Sequence, residues 1–170
     1  MDGIRFGKWW PVIISAVFLI FLGKGQEVSA RSFDETNPRL MLVASNTFIF
    51  NPKTRVWKAV QNGKVIRSGK ASGGSHYCHD VKRACRTPSG TYRVISKGGP
   101  ECRSSRYPLG KGGSRMPYCM FFSKNYAIHG SYDVPNRNAS HGCIRVHPGD
   151  ARWLSKKFIN IGTTVVVHPY

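Results

Sequence analysis

Residues 140–145 read Ser140-His141-Gly142-Cys143-Ile144-Arg145, and His129-Gly130-Ser131 stands a short loop upstream. A cysteine thus follows a glycine directly, with one histidine two positions before it and another fourteen positions before it. A free thiol has a reference pKa of about 8.5 and is mostly protonated near neutral pH. An imidazole within hydrogen-bond reach can take that proton and leave a thiolate, while a third group holds the ring in place. Gly142 has no Cβ, so backbone N–H groups around it can approach a developing oxyanion. The grouping suits acyl transfer through a thioester. Standing alone, Cys143 could as well be a buried structural thiol, because cysteine is commonly buried.

These residues also carry a resemblance. His129, a variable loop over 130–139, then Ser140-His141-Gly142-Cys143, apolar Ile144 and Arg145 resemble the motif of the L,D-transpeptidase family of peptidoglycan-modifying enzymes. Upstream, Thr87-Pro88-Ser89-Gly90-Thr91-Tyr92 is similar to the family's Thr-Pro-x-Gly-Thr-Phe segment. Met116-Pro117-Tyr118 and Ala127-Ile128-His129-Gly130 are similar to its penultimate strands. The likeness runs from about Arg39 to Pro169, and the loop from His129 to Ser140 is shorter than the commonest family spacing.

The resemblance implies a mainly β, β-sandwich-like catalytic domain over residues 39–170, acting on peptidoglycan stem peptides without a cofactor or metal. It makes Cys143 the nucleophile and His129 the base, held by a nearby carbonyl such as that of Gly130, with Gly142 and Cys143 donating to the oxyanion. Ser140 and His141 would lie beside the substrate, although the His141 ring could equally bond the backbone and shape the loop. Arg145 could grip a substrate carboxylate through its planar fork or pair with Asp133 or Asp150. Tyr118 would line the acceptor groove, or simply pack.

At the N-terminus, Arg5 and Lys8 precede an apolar run from Trp9 to Leu22, and Val28-Ser29-Ala30 offers small or apolar residues where a signal peptidase reads. We read residues 1–30 as a secretory signal, touching membrane only before cleavage, and 31–38 as a flexible lead-in. An uncleaved anchor is the alternative, but the run is shorter than the roughly 20 residues a spanning helix needs. Export to the periplasm or cell surface makes the five cysteines informative, because disulfides persist there. Cys78, Cys85, Cys102 and Cys119 allow three connectivities. We favour Cys78–Cys85, closing a compact loop, and Cys102–Cys119, stapling a longer one, with Cys143 left free. His76, Cys78, His79 and Cys85 invite a zinc reading, but their spacing matches no paired zinc pattern.

The formal charge of +18 calls for an anionic neighbour or strong solvation. Nucleic acid would be the first guess inside a cell. For an exported chain, anionic envelope polymers fit better, and nucleic acid is set aside. Two rival readings remain on the sequence: a non-catalytic, cationic envelope binder on the same fold, and a sortase-like transpeptidase, which wants its histidine far upstream of the cysteine.

Strand-like segments run over Leu40–Ala44, Thr47–Phe50, Arg55–Val60 and Lys64–Ala71, the last two joined by Asn62-Gly63, a strong hairpin signal. Residues 72–90 read as a disulfide-held loop, Thr91–Ser96 as a strand, and Lys97–Arg115 as a polar insertion of the kind that forms lids. Tyr118–Phe122 and Tyr126–His129 are the next strands. Pro148-Gly149-Asp150-Ala151 begins a short helix with Ala151, Leu154 and Phe158 on one stripe. Thr163–Val167, β-branched almost throughout, closes the domain as a buried strand.

Overall fold

The hairpin at Asn62-Gly63 forms as its residues dictate. A computed structural model describes residues 45–170, and there strands β2 (Val56–Gln61) and β3 (Lys64–Ser72) pair antiparallel with Gln61 opposite Lys64. Asn62 and Gly63 both take positive φ, 50° and 77°, as a tight turn between twisted strands requires. The signal segment, the lead-in and the strand read over Leu40–Ala44 lie outside the described residues.

Strand β1 (Asn46–Asn51) pairs antiparallel with β2, and the last strand, β9 (Thr164–Val167), lies parallel to β1 on its other side. Alternation sets the faces. Phe48 and Phe50 point inward from β1, Trp57 and Ala59 from β2, and Val165 and Val167 from β9, each 2% exposed or less. Phe48 and Trp57 stack with centroids 6.0 Å apart.

The other half of the sheet continues from β3 through β8 (Ile144–Val146), β7 (Tyr126–Gly130), β6 (Met120–Ser123) and β5 (Ser96–Lys97), and β4 (Gly90–Arg93) flanks β9 at the opposite edge. The expected single strand over Thr91–Ser96 is therefore two. Val94 N–H donates to Thr163 O while Ile95 N–H donates to Phe121 O, so the chain changes sides between these two residues. Because β4 and β5 are the two ends of the nine-strand order and only Val94-Ile95 joins them, the edges meet and the sheet curls on itself. The core fills the curl: Met120, Phe122, Ile128, Ile144 and Val146 face the same interior as the β1–β2–β9 side chains.

Helix α1 (Pro148–Trp153) starts with Pro at its first position and Asp150 in its first turn, then widens into a π turn over Leu154–Phe158 closed by Ile159 N–H to Leu154 O at 2.7 Å. Ala151, Leu154 and Phe158 are buried, as their spacing requires. Lys97 Nζ donates to Ser155 O and Ile159 O, occupying carbonyls that the helix end leaves open. Among the described residues, no helix is long and apolar enough to cross a membrane.

Both segments read as loops are covalently closed. Cys78 bonds Cys85 across 7 positions and Cys102 bonds Cys119 across 17, the connectivity favoured on sequence, and Cys143 is free. The Cys78–Cys85 bond removes the thiolates that a zinc site there would need.

Candidate active site

Strands β7 and β8 pair in parallel, with Ile128 opposite Ile144, His129 opposite Arg145 and Gly130 opposite Val146. Ile128, Ile144 and Val146 enter the core, so His129 and Arg145 emerge on the other face. Cys143 stands one residue before β8, at the end of the turn that leads into it. Cys143, His129 and Arg145 all line one cavity of about 780 Å³. This parallel pair turns two distant segments of chain into one site.

His129 is 6% exposed, and its Nδ1 lies 2.9 Å from Gly130 O. A carbonyl only accepts, so Nδ1 carries the proton and a neutral ring keeps a bare Nε2, the tautomer a base needs. Burial pushes the ring's pKa down to about 4, against the Gly130 bond that raises it, and the Arg145 charge lowers it further. Burial raises the Cys143 thiol above its ordinary value, opposed by a backbone bond from Ala127 and by Arg145. At rest the pair is a neutral imidazole and a neutral thiol, so the proton moves during attack.

Gly142 has its own reason to be glycine: its φ is +127°, and a Cβ there would strike the Tyr126 ring. Its N–H donates to Ser140 Oγ at 3.0 Å, and Ser140 Oγ donates onward to Cys143 O. The expected Gly142 oxyanion donor is thus already bonded, and buried Ser140 is the clamp of the turn that presents the thiol. Gly130 backs onto Pro117 and Ala151, where a Cβ would be crowded, and offers its carbonyl to His129.

His141 is engaged by two other residues. Its Nε2 lies 2.7 Å from Asp80 Oδ2, and its ring stacks on Tyr107 at 4.1 Å. Asp80's carboxyl, which desolvation alone would raise, is held below its ordinary value by the bond and charge of His141 together with backbone hydrogen bonds. His141 therefore ties the motif to both disulfide-closed loops, Asp80 lying on one and Tyr107 on the other. Arg145 Nη1 meets Asp133 Oδ2 at 2.6 Å, whereas Asp150 is taken by Arg67. Tyr118 packs against the core and does not line the cavity.

Three residues of the site carried no assigned role in the sequence reading. Thr87 Oγ1 accepts from Gly74 N–H and donates to Gly142 O, pinning the Thr-Pro segment behind the cysteine. Its place in that segment was the available signal. Asp80 was traceable as one of few acids in a basic chain, but Tyr107 reaches the site only through the folding of its loop.

The family model for the L,D-transpeptidase catalytic domain, YkuD, matches residues 45–167. No curated protein sequence matches. Among solved structures, the chain is similar to an L,D-transpeptidase from Xylanimonas cellulosilytica at 27% identity and TM-score 0.64, covering 74% of this chain and 61% of that one. It is similar in fold to an L,D-transpeptidase from Mycobacterium smegmatis at 20% identity and TM-score 0.61, with 74% and 59% covered. A third similar fold is L,D-transpeptidase 3 from Mycobacterium tuberculosis in complex with a faropenem-derived adduct, at 20% identity and TM-score 0.56, with 74% and 61% covered. The chain spans about three-fifths of the first of these structures. With the motif, the curled sheet and a family match over most of its length in agreement, this chain belongs to the L,D-transpeptidase catalytic domain family.

Proposed function

We propose that the protein is an exported peptidoglycan L,D-transpeptidase that uses Cys143 as its nucleophile. The observation that carries this reading is the free thiol sharing a cavity with a buried histidine whose Nδ1 proton is bonded to a carbonyl, so that a bare Nε2 remains for proton transfer.

Cys143 Sγ attacks the carbonyl carbon of the stem's third residue, a diamino acid, as its proton passes to His129 Nε2. The oxyanion is met by the Cys143 N–H, joined by Gly142 N–H if the Ser140 hydroxyl turns aside. Collapse breaks the bond to the terminal D-alanine, whose nitrogen takes the proton from His129, and leaves a thioester. An amine of a second stem then attacks the thioester, passes its proton through His129 to the departing sulfur, and completes a cross-link. Water in place of that amine makes the same site an L,D-carboxypeptidase. Arg145, paired with Asp133, sits on the cavity wall where a substrate carboxylate can compete for its fork. No step needs a cofactor or metal.

The net charge supports approach to anionic envelope polymers, an attraction that weakens with salt. A cationic binder that never uses its thiol is the rival. Intact-mass analysis after mixing with a carbapenem or penem separates the two: a stoichiometric adduct that disappears in Cys143→Ala is expected, and no adduct, or one that survives the substitution, favours the binder. Incubation with tetrapeptide wall fragments then identifies the acceptor from product masses.

A further inference from the structure

We propose that Arg83, Arg103, Arg106, Arg115 and Lys124 form a carboxylate-recognition wall in the active-site cavity, selecting stems with free rather than amidated side carboxyls. This rests on the transpeptidase reading and adds the chemical class of stem that it takes.

All five cations line the cavity that holds Cys143. The two acids there are already engaged, Asp80 with His141 and Asp133 with Arg145. Among the described residues, none of the five makes an ion pair within the protein. The cations outnumber the cavity's two acids, so the surface beside the nucleophile is strongly net positive.

Its construction sharpens the point. Arg103 and Arg115 are directly paired across an antiparallel bridge, inside the loop that Cys102–Cys119 closes. Like charges placed opposite one another in this way repel. Arg83 is likewise bridged to Cys78, within the loop closed by Cys78–Cys85. Covalent closure thus holds cationic segments around the cavity that mutual repulsion would spread, and an anion between Arg103 and Arg115 would relieve that repulsion. A carboxylate matches the guanidinium fork with two parallel hydrogen bonds. A primary amide brings no charge, and while its C=O can accept from one arm of the fork, its NH2 sets donors against the other.

The test uses the full chain and two tetrapeptide stems that differ only in amidation of their side carboxyls, with kcat/KM read from D-alanine release. At low salt we expect about a tenfold preference for the free-carboxyl stem, the ratio that about 1.4 kcal/mol of selective ion pairing produces. In Arg103→Gln/Arg115→Gln the preference should fall to within about threefold of unity, with partial retention in the double Lys variant. High salt should erode it in the unmodified chain, which decides the matter if the variant does not fold. Melting temperature and the rate of Cys143 alkylation by neutral iodoacetamide check the variant's fold and site. Equal turnover of the two stems, preference for the amidated one, or a preference indifferent to salt and to both arginines overturns this proposal alone. Failure of both stems to acylate Cys143 removes the transpeptidase reading and this proposal with it.

Discussion

His129 and Arg145 stand opposite one another across the parallel β7–β8 pair, and the guanidinium favours the deprotonated form of both the His129 ring and the Cys143 thiol. Its charge disfavours the imidazolium of His129 and favours the thiolate of Cys143. Asp133, 2.6 Å from Arg145, moderates both effects. Asp133→Asn should therefore speed iodoacetamide alkylation of Cys143 at pH 8, and Arg145→Gln should slow it, each by a fewfold. Identical responses in the two variants would show that the pair has no electrostatic hold on the thiol.

Burial is the first cause of the His129 shift to about 4, and under the proposed mechanism this shift should set the acid limb of activity. The base must be unprotonated in the free enzyme, so kcat/KM should hold as pH falls through 6.5 and decline only toward 4 to 5. A decline centred near 6.5 would place the working histidine in an exposed setting. Alkylation of Cys143 should keep rising beyond about pH 8.5, the ordinary thiol value, because burial raises it.

The same histidine makes stability depend on pH. Its folded-state pKa lies below the unfolded value, so between about 4 and 6.5 the unfolded chain binds more protons and stability rises with pH. The gap corresponds to a loss on the order of 3 kcal/mol as pH falls through that window. Denaturant titrations at pH 7 and pH 4 should show this loss, and His129→Gln should remove most of its pH dependence.

Gly142→Ala meets two obstacles, a φ of +127° and the Tyr126 ring. Backbone strain of this kind costs about 1–3 kcal/mol, and relief can come only by moving the turn that carries Cys143. A lowered melting temperature with loss of the carbapenem adduct is expected. A variant with unchanged adduct formation would mean that the turn tolerates a side chain.

Opening the larger disulfide with Cys102→Ser/Cys119→Ser should destabilise the domain by about 3 kcal/mol, the entropy of a loop of this size. The insertion also carries Tyr107, which stacks on His141, so proteolysis between residues 102 and 119 should accelerate. An intact insertion under protease would show that packing alone holds it.

Local chemistry was legible in the sequence wherever neighbours along the chain decide it. Asn62-Gly63 specifies its hairpin through positive φ, and Pro148 and Asp150 mark a helix start. The motif at 140–145 identified a thiol with a glycine turn, and the upstream histidine. What only tertiary structure decided is which groups meet across the chain. The break between Val94 and Ile95 depends on Thr163 and Phe121, partners far away in sequence. Likewise, the Gly142 N–H is taken by Ser140, and Asp133 rather than Asp150 claims Arg145, because side-chain partners are settled by distance after the sheet has curled. Periodicity and turn chemistry are local energies, whereas the site's protonation states follow from burial, which exists only once the chain has folded.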